Sequence, residues 1–448
     1  MTTQHQTNLS IRRAIRRRCS GQTLVLAAVF LIALMGILGL IGDGGMVAAN
    51  RRHAQRAADA AAQAGAVEFL KGFSAIEQDS ARAGALEVAL MNGTDSADHV
   101  VVEIPPMAGS GSAYGGSNGF IRVEVTRPVE LGLMNLLLQL NVVNVRASAT
   151  AGMVRVPYDD ASILILSPNN SSALTLVGNA SINVGAGTVW VNSSDMGAIM
   201  MGNGTSITAA TVVVVGGVNG GQGQTQIHGT QIEGAQAKAA DDPFQFLPAP
   251  RLSDYVTSPD SAGTASNPAT KAVNGVCTLN PGIYWGGLSL TGHATVHFLP
   301  GRYILAGGGF KLAGQAKADG TDVFFYNTQD PNNPNGAGAM AAFDIAGQGD
   351  MGIKAPTAAA DSTYKGIVVF NDRASTSDVR VVGNGVGNGT PYAGYIYNKS
   401  GAVILSGNGS LVGLGVVANT MQLNGNAVFS GAIERARTPD TTIVRLVE

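Results

Sequence analysis

Apolar residues fall along the chain in three patterns, each predicting a different kind of structure. From Cys19 to Gly42 runs an uncharged stretch carrying Leu24, Val25, Leu26, Val29, Phe30, Leu31, Ile32, Leu34, Ile37, Leu38, Leu40 and Ile41. About 24 residues make a helix of ~36 Å, enough to cross a hydrocarbon core of ~30 Å with some tilt. Residues 67–155 alternate on a shorter scale. Ala75 to Met91 has helical composition with Asn92-Gly93 as its stop, and Val100–Ile104, Phe120–Val125 and Val143–Ala147 read as strands. With a Gly/Ser loop at 109–119 and a short apolar segment at 131–140, this region predicts a small α+β module.

The third pattern repeats. Two apolar residues two apart are followed by a Gly, then by Asn, Gln or His, then by a small residue. It occurs at Gly178-Asn179, Gly292-His293, Gly314-Gln315, Gly347-Gln348, Gly383-Asn384, Gly407-Asn408 and Gly425-Asn426, with a weaker copy at Gly202-Asn203. The apolar pair faces one side of a strand, the Gly permits a left-handed corner, and Asn tolerates and bonds that corner. Successive glycines lie about 18 to 36 residues apart, with one gap of about 90. A strand–corner–strand unit recurring at such intervals predicts stacked units that bury a shared core.

The expected fold is mainly β: a parallel β-helix over 156–448, with a β-sandwich as the alternative. The polar residues after each Gly would then form a ladder. Pro281-Gly282 and Pro300-Gly301 read as one turn on adjacent coils. Between about 216 and 275 the rhythm breaks. We expect an excursion there that lies on the surface through Phe244, Phe246 and Leu247 and re-enters near Val276. Arg435, Arg437, Val444, Arg445 and Leu446 are expected to cap an exposed last coil.

Charge orients this plan. Arg12, Arg13, Arg16, Arg17 and Arg18 precede the apolar run and should hold a basic tail, 1–18, in the cytoplasm, with 19–42 spanning and the body outside. A cleaved signal peptide has a shorter apolar core and a small-residue cleavage site, so an uncleaved anchor fits better. Only 13% of residues are charged and the net charge is −2, which leaves no footprint for nucleic acid. Cys19 and Cys277 fall on opposite sides of the expected membrane, so neither a disulfide framework nor a cysteine-based zinc cluster is expected.

Beyond the apolar run come Asp43-Gly44-Gly45, a basic patch at Arg51, Arg52 and Arg56, and an Ala-rich helix through Ala57, Ala58, Asp59, Ala60, Ala61, Ala62, Ala64, Gly65 and Ala66. With Gly21 ahead of the run, this order resembles the TadE/TadG-like family of Flp (Tad) pilus-assembly proteins over about residues 16–66. The resemblance implies a single-pass protein of the inner membrane that serves a tight-adherence pilus, with 43–66 as a helical extension. Two features of related proteins are absent. Gly21 is followed by Gln22-Thr23-Leu24-Val25-Leu26, without the processing-site Glu, and Ile163–Asn169 lacks the Asp of a von Willebrand A metal motif.

Catalytic and metal chemistry is sparse. His293 and His297 have the spacing of a zinc helix but lie in a strand-like repeat. Asp241-Asp242 precedes Pro243 and reads as a solvated turn. Asp344 and Asp350 are the best acid–base candidates, being outward carboxylates on the expected coil. The expectation is a non-enzymatic pilus-assembly or envelope protein without cofactor or metal, whose partners are the bilayer and other Tad components. A surface adhesin that binds extracellular glycan is the first alternative, and a polysaccharide-degrading enzyme the second.

Overall fold

The computed structural model describes residues 4–71, 74–158, 161–219, 226–383, 393–431 and 438–448, with side chains from 23 onward except at 137, 138, 157 and 414. The chain divides into two units, Met1–Val154 with Ile443–Glu448, and Arg155–Thr442.

In the first unit, helix α1 (Gln4–Glu68) runs unbroken through the apolar stretch and the Ala-rich segment. Gly44 and Gly45 each cost roughly 1 kcal/mol of helix propensity, yet they do not end it. Helix α2 (Ala75–Met91) follows, then strands His99–Glu103, Phe120–Glu130 and Val142–Pro157 in antiparallel register. A short helix α3 (Leu133–Leu138) sits between the last two strands. Ala54, Ala57, Ala58, Ala61, Ala62 and Ala66 of α1 are buried with Ala81, Ala85 and Ala89 of α2 and with Ile121, Val123, Val125, Ala147, Ala149 and Ala151 of the sheet. Small side chains let backbones approach closely. At Gly65 an added Cβ would come within 2.9 Å of the Ala81 carbonyl oxygen. The expected division between an extension at 43–66 and a module at 67–155 is therefore not seen, because both contribute to one core.

Strand Asp440–Leu446 adds to this antiparallel sheet beside Val142–Pro157, and Val444 and Leu446 pack on the same core. The expected cap on a last coil is corrected at Val444, Arg445 and Leu446, because Val444 and Leu446 alternate with Arg445 and supply one apolar strand face. Arg435 and Arg437 lie outside the described residues.

In the second unit every pairing between described strands is parallel. This excludes the antiparallel hairpins of the sandwich alternative. Along one ladder the order is Gly282–Trp285, Gly301–Ala306, Val323–Thr328, Ile367–Asn371, then the first halves of Gly394–Gly407 and Leu414–Gly425. The next strand is Ile163–Ile165, followed by Thr188–Val191 and Ser206–Val214. The chain therefore enters mid-stack, climbs to one end, crosses to the other, and winds back until 416–418 lies against 163–165.

Strands Val218–Asn219, Ile227–Glu233 and Lys271–Val273 belong to these ladders, so the strand-free part of the break is 234–270, shorter than the 216–275 expected. This segment runs along the stack in strict order. The Trp190 indole donates to the Lys238 carbonyl, Asn192 exchanges hydrogen bonds with Ala240, and the Tyr397 hydroxyl donates to Asp242. Arg373 donates to the carbonyls of Phe244 and Leu247, Tyr364 to that of Pro248, and Arg302 to the Tyr255 hydroxyl. Thr257 then bridges to Ile283. From the level of Trp190 to that of Ile283 is seven strand steps, or ~34 Å at ~4.8 Å each. In this strap Phe244 and Leu247 are buried and Phe246 is half-buried.

Candidate membrane anchor and corner column

Among the described residues one helix is long and apolar enough to cross a membrane, and it is α1. From Leu24 to Ile41 its large apolar side chains are exposed; Leu24, Phe30 and Ile41 are each about two-thirds accessible. Fully burying one such side chain is worth about 1.5–3 kcal/mol, so a dozen of them demand an apolar surrounding. Arg12, Arg13, Arg16, Arg17, Arg18, Cys19 and Gly21 lie on helical backbone, but their side chains fall outside the described ones.

One face of this span is covered. Gly39 abuts α3, where an added Cβ would lie 3.0 Å from the Leu133 Cβ. One turn on, Asp43 is 6% exposed, and its carboxylate accepts from the Gly132 amide (3.2 Å) and the Met134 amide (2.6 Å). It thereby satisfies two backbone donors at the start of α3 that have no partner within that helix. Asp43→Ala is expected to cost about 1 kcal/mol, as loss of a helix cap does, and to speed amide hydrogen exchange at 132–138. Unchanged exchange there would refute the capping role.

The Ala-rich motif faces inward. Ala57, Ala58, Ala61, Ala62, Gly65 and Ala66 are buried, Ala60 and Ala64 half-buried. Asp59 accepts from Gln55, which also donates to the Ser148 carbonyl and so ties α1 to the sheet.

The repeat glycines form a column in the second unit. Gly383 pairs with Gly347 and Gly407, Gly407 with Gly425, and Gly425 with Gly178. Gly292, Gly314 and Gly347 continue the column, each within 3.2 Å of the space a side chain on the next would occupy. Beside it, the Asn179 amide donates to Asn426 (3.1 Å), Asn426 to Asn408 (3.0 Å), and Gln315 to Gln348 (3.2 Å). Asn384 lies outside the described residues. In the weaker copy Gly202 and Asn203 are present, but the left-handed glycine is Gly204. His293 ends the column and is exposed.

The turns Pro281-Gly282 and Pro300-Gly301 lead into adjacent paired strands, but they are offset in register. Gly282 pairs with Tyr303 and Gly301 with Val323, a slip of two residues that places Pro281 under Gly301.

The remaining candidates are engaged or dispersed. His297 contacts Asp319 on the adjacent strand (2.7 Å), His293 lies at the preceding turn, and among the described residues no group of three His, Cys, Asp or Glu is placed to hold a metal ion. Asp242 accepts from the Phe244 amide and the Tyr397 hydroxyl, with Lys399 at 3.6 Å. Burial and that carboxylate hold the Tyr397 phenol well above its usual range, so it stays a donor. Burial likewise pushes the Cys277 thiol up, against the core edge. Asp344 lies in register between Lys311 and Arg380, and Asp350 beside Lys317. These basic neighbours come from strands about 33 to 36 residues away in sequence, which hides them from local reading.

Sequence reasoning also missed Arg302. It makes two bonds to Asp361 (2.6 and 2.9 Å), donates to Tyr255, and stacks 4.7 Å from the Tyr364 ring centre. A cavity of about 500 Å³ adjoins it, lined by Pro300, Asp322, Pro356 and Thr363 among others. With its guanidinium engaged on three sides, Arg302 serves as a post for the strap.

No curated protein shows significant similarity to the chain. Among solved structures, the competence-associated pilin ComZ from Thermus thermophilus aligns at 12% identity over 79% of this chain and 88% of that one, with a TM-score of 0.27. The apolar helix and the inward-facing Ala-rich segment fall together in one matched region: residues 21–68 match the family model of Flp pilus-assembly TadE/G-like proteins.

Proposed function

We propose that this chain is a non-enzymatic, single-pass protein of the bacterial inner membrane that serves Flp (Tad) pilus assembly. In this reading α1 spans the bilayer with its basic tail in the cytoplasm, and the parallel stack of the second unit is a β-helix that offers an interaction surface to other pilus components. The observation that carries it is the coincidence of the exposed apolar face, Leu24 to Ile41, with the TadE/G-like match at 21–68. The domain plan follows: tail 1–18, span 19–42, membrane-proximal unit to about 155, and β-helix to 442 with a strap at 234–270. The repeat corners are structural in this view, since the polar ladder satisfies itself.

Alkaline phosphatase joined after Glu448 is expected to be active, and a green fluorescent protein there to stay dark. A deletion strain is expected to assemble few or no Flp pili. Fluorescence at the C-terminus would overturn the orientation, and normal pili in the deletion strain would overturn the assembly role.

A further inference from the structure

We infer that the loop carrying α3, residues 131–143, inserts into the outer leaflet of the membrane beside α1, giving the protein a second, shallow membrane contact. The inference rests on reading α1 as a membrane span. The loop reads Leu-Gly-Leu-Met-Asn-Leu-Leu-Leu-Gln-Leu-Asn-Val-Val, thirteen residues without a charge, flanked by Glu130 and, three residues on, by Arg146. Leu136 is 70% exposed, and Leu133, Leu140 and Val142 are exposed as well. An uncharged loop with four exposed large apolar side chains is poorly suited to water.

Its position decides what covers it. Leu133 meets α1 at Gly39, three residues inside the end of the uncharged run at Gly42, which is ~4.5 Å along the helix axis. Neighbouring α1 residues Ile37, Leu38, Leu40 and Ile41 are themselves exposed, so the loop extends their apolar surface sideways. A segment at that depth lies in the headgroup–acyl boundary, where interfacial elements bury ~5–10 Å. Asp43 holds the loop there. It stands at the edge of the run, where its two carboxylate oxygens accept hydrogen bonds from two amides of the loop. The occupant of this face is therefore lipid, continuous with the lipid around α1.

The test uses the full chain with Cys19→Ser and Cys277→Ser, reconstituted in phosphatidylcholine vesicles. A nitrobenzoxadiazole label is placed at Leu136→Cys, at Ile32→Cys as the reference inside the span, and at exposed Met107→Cys as the aqueous reference. Nitroxide lipids carry the quencher either high or low on the acyl chain. The label at 136 is expected to be quenched about twofold more by the high nitroxide than by the low one, as befits the boundary depth. The label at 32 should show the reverse preference, and the label at 107 should respond to neither. A label at Asn135→Cys should lose its quenching when Leu136→Asp is added. If 32 is quenched while 136 and 135 match 107, the loop is in water and the inference fails with the anchor intact. If 32 is not quenched, the anchor itself fails.

Discussion

Replacing Phe244 by Ala is expected to destabilise the second unit by about 3–5 kcal/mol, the cost typical of emptying a buried aromatic site. Phe244 is 1% exposed and packs edge-on against Tyr158, Tyr395 and Tyr397. Those rings belong to strands or chain segments that the strap crosses, so collapse around the cavity would require the stack itself to shift. The Phe244 carbonyl is also held by Arg373, and losing the ring loosens that anchor. The chain has two tryptophans, Trp190 and Trp285, both in the second unit, so urea unfolding of the full chain in detergent can be followed by their fluorescence. Phe246→Ala, half-buried, should cost less than half as much. A loss below about 1 kcal/mol for Phe244→Ala, or a larger one for Phe246→Ala, would mean that the strap is not seated on this aromatic cluster.

What the chain reveals locally and what it hides differ for a physical reason. The Gly-Asn corners are legible because each is a short local pattern and its repetition supplies the contact: Gly178 meets Gly425 for the same steric reason that Gly407 does. The landing of Phe244 and Leu247 is legible too, since apolar residues amid prolines must be covered by something. Stacking order is different. That 416–418 lies on 163–165 depends on where the strap at 234–270 returns the chain, and neither composition nor spacing encodes that. The two-residue slip between the Pro-Gly turns has the same origin, because register is set by the core residues Ile283, Ile304 and Tyr326, which lie opposite one another, and not by the turn motif. At the anchor, Asp43 is visible as part of a motif, but its partners at 132 and 134 sit about 90 residues away, and Lys311 and Arg380 sit 33 and 36 residues from Asp344. Side chains that meet across distant segments leave no local trace.

A pair of glycine substitutions separates the two demands a corner makes on its residue. Gly178 has φ +83 and lies on the seam between the last-wound and first-wound strands; a Cβ there would stand 2.7 Å from the Gly425 carbonyl oxygen and 3.1 Å from its Cα. That same oxygen accepts from the Asn179 amide at 2.7 Å, so it cannot move without losing a bond. Gly292 has φ +66 at the end of the column and nothing within 4 Å of the added atom. Gly292→Ala is therefore expected to cost only the conformational penalty, about 1–2 kcal/mol. Gly178→Ala carries that penalty plus about 1–3 kcal/mol of overpacking, since backbone on the facing strand must shift. Gly292→Asn should recover most of the loss, because Asn tolerates the left-handed region, whereas Gly178→Asn should not. Read by tryptophan fluorescence in urea, equal losses at the two sites would show that the 178–425 seam is loose. A larger loss at 292 would show that the column does not close there, and the parallel stack would have to be ordered differently.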